Sequence, residues 1–142
     1  MTFKPFEIEY LRSSTLGRLA TIAPDGGVQN SPVGFDYNAD LGTIDIHGYR
    51  MSKSRKFRNL KSNNRVAFVV DDIASRDPWR VRCLEIRGTA EQAWIGQART
   101  EPNGDELDTA IIRITPTRII SFGIDDTETE PHQLKAHSRN VE

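Results

Sequence analysis

Cysteine is nearly absent from this sequence: Cys83 is the only one among 142 residues. A single cysteine excludes a disulfide within the chain and is typical of a protein in a reducing compartment. Long apolar runs are absent too, since none approaches the roughly 18 residues that a membrane helix needs. Residues 1–5 also lack the apolar stretch of a signal peptide. We therefore expect a soluble, cytoplasmic protein.

Metal ligands and nucleophiles are equally scarce. Two of the three histidines, His132 and His137, lie in a polar stretch without a neighbouring cysteine. Structural and catalytic ions are held by clustered Cys, His and carboxylate ligands, so we expect no metal site. We interpret Cys83 as a small core residue rather than a nucleophile. No catalytic triad is evident, and the catalytic residues stay unknown.

Acidic residues are missing from one long segment, residues 48–70. It contains seven Lys or Arg and no Asp or Glu. The whole chain has 19 Lys and Arg against 20 Asp and Glu, so the remaining 12 cations are outnumbered by all 20 acids. Such an acidic remainder disfavours non-specific binding to nucleic acid or an anionic membrane. The segment therefore suggests a local anion site, with a solvated basic face as the alternative.

This basic segment follows an apolar strand pattern, 43–47, and leads into a short helix. Phe57 and Leu60 fall on one face of that helix, and Ser52 or Ser54 could cap its start. Cations are unfavourable at a helix start because the free N–H groups there carry partial positive charge. A bound phosphate would resolve this conflict.

The rest of the chain predicts a small antiparallel barrel. Short strands alternate with turn signals such as Pro24-Asp25-Gly26-Gly27, with one helix in front and one between strands. Pro32 inside the second strand implies an edge or a bulge, and the alternation shifts near Cys83, which suggests a bulge there. We predict a mainly-β fold, a β-barrel with peripheral helices, as a single domain over 1–126, followed by a polar tail over 127–142. The predicted helix is 5–14; the predicted strands are 16–23, 28–37, 43–47, 65–70, one or two within 79–95, 109–115 and 118–125, with a loop over 71–78.

Several motifs resemble the pyridoxamine 5′-phosphate oxidase-like split β-barrel superfamily. Ser54-Arg55-Lys56, followed by the strand 65–70, is similar to its phosphate-binding region. Other stretches are similar to its branch of deazaflavin-dependent oxidoreductases. These stretches are 17–21, Ser31-Pro32-Val33, Pro78-Trp79-Arg80, 85–91 and 114–123. The resemblance runs from about residue 16 to residue 125, and the order and spacing of the motifs carry it.

The resemblance implies a split β-barrel of the FMN-binding type that forms a homodimer, with the cofactor at the subunit interface. It implies an oxidoreductase that uses coenzyme F420, a deazaflavin, to transfer hydride between the cofactor and a small organic substrate. Arg55 and Lys56 would hold the cofactor phosphate, while Trp79 and Arg80 would approach from the other subunit. The implied cofactor-binding residues are Ser31, Pro32, Val33, Ile46, His47, Gly48, Arg50, Lys53, Ser54, Arg55, Lys56, Trp79 and Arg80.

Three alternatives remain at this stage. The first is an FMN-dependent flavoprotein of the pyridoxamine-phosphate-oxidase type; coenzyme F420 is favoured over FMN because its anionic glutamyl tail would suit the excess of cations. The second is a non-catalytic protein that binds a cofactor or haem. The third is a single-stranded nucleic-acid barrel, which needs aromatic residues among the cations. Only Tyr49 and Phe57 are available, so we expect no nucleic acid and no membrane as partner.

Overall fold

The computed structural model describes residues 2–142, and antiparallel strands dominate it. The helices are α1 (Pro5–Arg12) and α2 (Arg55–Asn59), with 3-10 turns at Met51–Lys53 and Pro131–Gln133. The strands are β1 (Leu16–Ile22), β2 (Val28–Asn38), β3 (Thr43–Ile46), β4 (Arg65–Arg76), β5 (Trp79–Trp94), β6 (Ala110–Phe122) and β7 (His137–Asn140). Within residues 2–142, no helix is long and apolar enough to span a membrane.

The strands form one antiparallel sheet that closes on itself. Their order is β3, β2, β1, β4, β5, β6, β7, and β3 pairs with β6 as well as with β2. The closing register sets Ile44 opposite Ile114 and Ile46 opposite Ile112. Closure leaves few free strand edges exposed to water. The predicted mainly-β barrel with peripheral helices is confirmed.

Side chains that alternate along the strands build the core inside this barrel. In β4, Val66, Phe68 and Val70 are buried, and the residues between them are only half-buried. Phe35 of β2 meets Phe68 edge to face, with ring centroids 5.1 Å apart. Leu11 of α1 joins the same core. Each such side chain stabilises the fold by roughly 1.5–3 kcal/mol through burial, so the barrel is a firm support for whatever its loops carry.

The hairpin of β4 and β5 is longer than the sequence predicts. The stretch 71–78, predicted as a loop, extends β4 and forms the hairpin turn. Asp71 and Asp72 lie in this extension and form ion pairs with Arg18 and Arg82. The loop prediction is wrong because acids on an exposed strand resemble loop residues until their partners are known.

The register shifts of this hairpin also differ from the prediction. Cys83, where we expected a bulge, is in regular register with both neighbouring strands. The shifts lie between Ile73 and Ser75 of β4 and between Arg87 and Gly88 of β5. The mixed polar and apolar residues around Cys83 mark a half-buried ribbon rather than an inserted residue.

Strand β6 runs without a break through Pro116-Thr117, which the sequence predicts as a separator of two strands. Gly88 of β5 pairs with Pro116 and the preceding β5 residue pairs with Arg118, so Thr117 is the extra residue of a bulge. Proline fits there because a bulge tolerates a missing N–H donor. A side chain on Gly88 would collide with the carbonyl oxygen of Thr115.

The C-terminal stretch, predicted as a polar tail, supplies the seventh strand. Residues His137–Asn140 pair with β6. Arg139 of this strand donates hydrogen bonds of 2.7 and 2.6 Å to the two carboxylate oxygens of Glu7 in α1. Glu7 is fully buried and also accepts a 2.8 Å hydrogen bond from the N–H of Lys4. One buried carboxylate thus connects the two ends of the chain.

Candidate functional site

An open groove lies between β2 and the segment that follows β3. Its volume is about 540 Å³. Five predicted cofactor-binding residues line it: Pro32, Val33, His47, Gly48 and Lys56. Its other lining residues are Thr15, Gly34, Phe35, Asp36, Tyr49, Arg99, Glu101 and Leu107. This is the His47 groove, and the fold brings β2, the end of β3 and α2 together in it.

His47 is held against a carboxylate in this groove. Its side chain is 13% exposed, and its Nε2 atom lies 3.0 Å from Asp36 Oδ2. Its Nδ1 atom is buried without a hydrogen-bond partner among residues 2–142. Burial lowers the pKa of His47 below its ordinary value, although the carboxylates of Asp45 and Glu101 oppose this shift. A neutral ring with its proton on Nε2, the nitrogen that faces Asp36, keeps an unused acceptor at Nδ1.

A second groove, the Lys53 groove, continues along the basic segment. Its volume is about 410 Å³. Gly48, Tyr49 and Lys56 line both grooves, which makes the two spaces neighbours. The residues that complete the Lys53 groove are Arg50, Met51, Lys53 and Ser54.

The cations of the basic segment are unpaired. Among residues 2–142, none of its seven Lys and Arg side chains forms an ion pair within 4.0 Å. Their like charges repel one another, and no carboxylate forms an ion pair with them to offset that repulsion. Unpaired cations beside an open groove are the electrostatic condition for holding an anion. The seven are Arg50, Lys53, Arg55, Lys56, Arg58, Lys61 and Arg65.

Arg55 lines a different groove from its neighbour Lys56. This third groove has a volume of about 530 Å³, and its other lining residues are Ala23, Asp25, Gly27, Val28 and Gln29. Successive residues of a helix project about 100° apart, which separates the two side chains. The structure therefore places the two residues that we expect to share one phosphate in two different grooves.

Ser54 is the N-cap of α2, one of the two serines predicted for that role. Its hydroxyl accepts a 3.4 Å hydrogen bond from the N–H of Phe57 and donates a 2.7 Å hydrogen bond to the carbonyl oxygen of Met51. The N–H of Ser54 donates to the same carbonyl oxygen at 3.0 Å. Capping thus engages both donors of Ser54, and its contact with a phosphate stays a prediction.

Four other predicted residues lie outside the His47 and Lys53 grooves. The Ile46 side chain is fully buried in the core, and the Ser31 hydroxyl oxygen is buried without a partner among residues 2–142. Trp79 and Arg80 begin β5 at the hairpin tip. Trp79 is 56% exposed, and Arg80 donates to two carbonyl oxygens of the stretch 126–127. Their approach to a partner subunit's groove stays a prediction.

Sequence patterns did not indicate several charged residues that face the predicted ones. Arg99 and Glu101 come from the polar loop between β5 and β6. The composition of this loop predicts a connection between strands and no functional role. Asp36 forms an ion pair with Arg99 as well as with His47. The only indication of Asp36 in the sequence is its charge, next to the aromatic residues Phe35 and Tyr37. Nothing in the sequence indicates where the Arg99 loop folds back.

The grooves offer binding groups rather than a metal centre or a nucleophile. Residues 2–142 contain no group of three or more His, Cys, Asp or Glu side chains placed to hold a metal ion. Burial raises the pKa of the Cys83 thiol, which keeps it protonated at neutral pH. The pairing of β2 with β3 begins at Phe35, so residues 31–34 pair with β1 alone. One backbone edge of that stretch is therefore open to a ligand.

Comparison with known families identifies the class of this protein. The pyridoxamine 5′-phosphate oxidase family model matches residues 7–122. This range runs from α1 to the end of β6 and includes all three grooves. The chain therefore belongs to this family of split β-barrel proteins, and the resemblance in its motifs is confirmed.

One curated relative is similar to this chain over nearly its whole length. It is the 5a,11a-dehydrotetracycline/5a,11a-dehydrooxytetracycline reductase of Streptomyces rimosus, 46% identical over 134 residues, which cover 93% of this chain and 92% of the relative. The family and this relative confirm the oxidoreductase class that we expected. Neither name identifies a cofactor for this chain.

Two solved structures share the fold at low identity. A conserved hypothetical protein from Mycobacterium tuberculosis has a TM-score of 0.64 and 21% identity, with 90% of this chain and 89% of that chain covered. A pyridoxamine 5′-phosphate oxidase-related, FMN-binding protein from Nostoc punctiforme has a TM-score of 0.60 and 11% identity, with 100% of both chains covered. At such identities the structures show the fold alone, and that fold is the predicted one.

Proposed function

We propose that this chain is a reductase that uses coenzyme F420 as its hydride carrier, with FMN as the alternative cofactor. One observation carries the proposal: the His47 groove and the Lys53 groove adjoin, with an open strand edge in one and unpaired cations in the other. A cofactor with a flat ring and a phosphate needs apolar walls and backbone groups around the ring, followed by cations at the phosphate.

The phosphate would lie at the junction of the two grooves. Lys56 lines both, and Arg50 and Lys53 line the continuation. A charge-assisted hydrogen bond to phosphate contributes roughly 1.5–3 kcal/mol. Because these cations have no carboxylate partner among residues 2–142, no ion pair must break before an anion binds. Arg55, in the third groove, would remain for the anionic tail of coenzyme F420.

The ring would lie along residues 31–34 of β2, where one backbone edge is unpaired. Two polar atoms are buried without partners among residues 2–142: Ser31 Oγ, within this stretch, and Nδ1 of His47, a residue that lines the same groove as Pro32 and Val33. Unpaired buried polar atoms are rare in folded proteins, and a ligand that reached them would supply their partners. Pro32 and Val33 would add apolar contact.

The substrate class comes from the Streptomyces relative, whose name describes a dehydro bond in a polycyclic compound. We propose a polycyclic substrate with a carbon–carbon double bond conjugated to a carbonyl group. Reduction of that bond needs a hydride at one carbon and a proton at the other; the reduced cofactor, when bound, would supply the hydride, and water would supply the proton. Asp36, Arg99 and Glu101 would bind and orient the polar groups of the substrate. Since Asp36 and Arg99 pair, their part of the wall is polar with little net charge.

The homodimer and the cytoplasmic location belong to the same proposal. Trp79 lies at a hairpin tip, and Leu16 and Val28 are 58% and 73% exposed. Exposed apolar side chains of this size often lie at subunit interfaces. A single, half-buried thiol fits a reducing cytoplasm. Light scattering at micromolar concentration tests the dimer, and a monomeric mass would contradict it.

The test of function is a parallel fluorescence titration of the purified protein with coenzyme F420 and with FMN at moderate salt, which screens weak surface attraction. We expect tight, saturable binding of coenzyme F420, followed by oxidation of its reduced form on addition of a dehydrotetracycline. Preference for FMN would move the proposal to a flavoprotein. Binding without turnover favours the non-catalytic alternative, and binding of neither cofactor rejects the proposal.

A further inference from the structure

Asp108, just before β6, holds the basic segment at two points. Its N–H donates a 2.9 Å hydrogen bond to the carbonyl oxygen of Gly48. Its Oδ2 atom accepts hydrogen bonds from the N–H and the hydroxyl of Ser52, at 3.0 and 2.7 Å. Its Oδ1 atom accepts a 3.2 Å hydrogen bond from the N–H of Ala110, which anchors the carboxylate to β6. One residue thus ties both ends of the stretch 48–52 to the barrel.

Apart from Asp108, the stretch is held mainly by Met51, whose side chain is buried in the core. Tyr49 and Arg50 are exposed, and they form a turn rather than a strand or helix. An untethered turn that begins with glycine samples many conformations, and a ligand that binds it must order it first. Arg50, Lys53 and Lys56 line one groove only while this turn keeps its course.

The charge of Asp108 makes its position unexpected. A carboxylate beside a cationic groove weakens the attraction of the groove for an anion. Asp108 does not neutralise a cation, since no ion pair joins it to Arg50 or Lys53 among residues 2–142. The hydrogen bonds from Ser52 lower the pKa of Asp108, which keeps it ionised at neutral pH. All the hydrogen bonds of Asp108 described above join it to backbone groups or to the hydroxyl of Ser52.

We propose that Asp108 is a positioning residue for the cofactor phosphate: it fixes the turn 48–52 so that Arg50, Lys53 and Lys56 converge on one groove. The inference rests on the proposed function because it requires a phosphate-bearing cofactor in the Lys53 groove. Two possible roles of Asp108 predict opposite changes in the affinity for an anion when the residue is removed. Without Asp108, a purely electrostatic role gives tighter anion binding, whereas a positioning role gives weaker binding.

The experiment compares affinities of the full-length wild type and variants for coenzyme F420, FMN and riboflavin, which lacks the phosphate. We expect Asp108→Ala to weaken binding of the preferred phosphate-bearing cofactor by about tenfold, the effect of one charge-assisted hydrogen bond. Riboflavin binding should stay within about twofold, because riboflavin makes no phosphate contact. Asp108→Asn keeps an oxygen acceptor for Ser52 and should recover most of the loss, which a role of the charge alone would not produce.

Two further variants keep the inference testable if Asp108→Ala does not fold. Ser52→Ala removes one of the hydrogen bonds and keeps the carboxylate, so it should weaken the phosphate-bearing cofactor by about threefold. Glu106→Gln is the matched control, since it removes an exposed acid of the same loop that has no side-chain hydrogen bond to the segment; its binding should be unchanged. Equal or tighter binding by Asp108→Ala or Ser52→Ala overturns the inference alone. If the wild type binds neither coenzyme F420 nor FMN, both proposals fall.

Discussion

Arginine side chains have opposite surroundings in two regions of this molecule. In the sheet, Arg18, Arg82 and Arg113 pair with carboxylates of neighbouring strands, and Arg139 pairs with a buried carboxylate of α1. In the basic segment, no Lys or Arg pairs with an acid among residues 2–142. The first group uses its hydrogen-bonding capacity within the fold. The second keeps that capacity for a ligand.

Strand register explains much of this difference. Asp45 and Arg113 are directly opposite each other across β3 and β6, and Asp72 and Arg82 are opposite across β4 and β5. A turn and a five-residue helix, by contrast, have no strand register that sets an acid opposite each cation. The comparison predicts that removing a paired charge costs stability and spares binding, while removing an unpaired charge does the reverse.

The largest expected effect is that of Glu7→Ala. The Glu7 side chain is 1% exposed, and its loss leaves Arg139 without its partner. We expect the free energy of unfolding to fall by about 3 kcal/mol, because a partly buried charge is left uncompensated. Urea denaturation measures it.

Glu9→Ala is the control for this change, since Glu9 is an exposed acid on the same helix. It should alter the free energy of unfolding by less than about 0.5 kcal/mol. Equal losses in the two variants would show that the buried pair adds nothing. Cofactor affinity of the folded Glu7→Ala protein should match the wild type.

The next effect concerns Asp45 and depends on pH. Burial alone would raise the pKa of Asp45, but hydrogen bonds from Arg113, Asn38 and Thr43 outweigh it and lower the pKa. A folded pKa below the unfolded value means that this stabilisation is complete above the unfolded pKa, about 3.9, and is lost as pH falls through the folded pKa. We expect Asp45→Asn to be about 2 kcal/mol less stable than the wild type at pH 7.

Urea denaturation at pH 7 and at about pH 3 checks the sign. The difference between wild type and Asp45→Asn should shrink at the lower pH, because the wild-type carboxylate becomes protonated. Asp40→Asn, an exposed acid of the preceding turn, serves as the control and should behave as the wild type at both values. A difference that does not change with pH would mean that the shape of Asp45, not its charge, matters.

Local patterns predicted the barrel because its information is local. The turn Pro24-Asp25-Gly26-Gly27 includes a glycine at φ 88°, a conformation that other residues rarely adopt, and it joins β1 to β2 as expected. Strand β7 was not predictable in this way. Its residues, His137–Asn140, show no apolar alternation, and the strand depends on the free edge of β6 and on Glu7, 132 residues from Arg139.

The candidate site also has a part that the sequence predicts and a part that it does not. A lack of acids is a property of one segment, so the basic segment was visible in the sequence. Its surroundings were not, because Asp108 lies 56 residues from Ser52 and Arg99 lies 63 residues from Asp36. Contacts over such separations depend on the path of the loop between β5 and β6. That loop carries no periodicity.

The double variant Arg55→Ala and Lys56→Ala should have a smaller effect, and that effect should fall on cofactor binding rather than on the free energy of unfolding. Cofactor affinity should fall by at least about tenfold, since two cations are lost from the grooves. The free energy of unfolding should stay within about 0.5 kcal/mol, because neither residue pairs with an acid. Fluorescence titration and urea denaturation measure the two quantities.

Arg58→Ala with Lys61→Ala is the matched control for that double variant. It removes the same charge from the same segment, but both residues are exposed and line none of the three grooves. Its affinity should fall by less than about twofold at moderate salt. Equal losses in the two double variants would mean that general attraction, rather than a defined site, binds the cofactor.

The smallest effect is a shift in the pKa of His47, which shares a carboxylate neighbour with the first region and lines a groove like the second. Burial lowers the pKa of His47, and the Asp36 carboxylate, 3.0 Å from Nε2, would favour the charged ring through its negative charge. Asp36→Asn should therefore lower the pKa of His47 further, and NMR titration of the ring nitrogens measures it. His132 is exposed and provides the internal control. A pKa of His47 that rises in Asp36→Asn would mean that the carboxylate does not act on the ring by charge, and that the His47 groove is not organised by this pair.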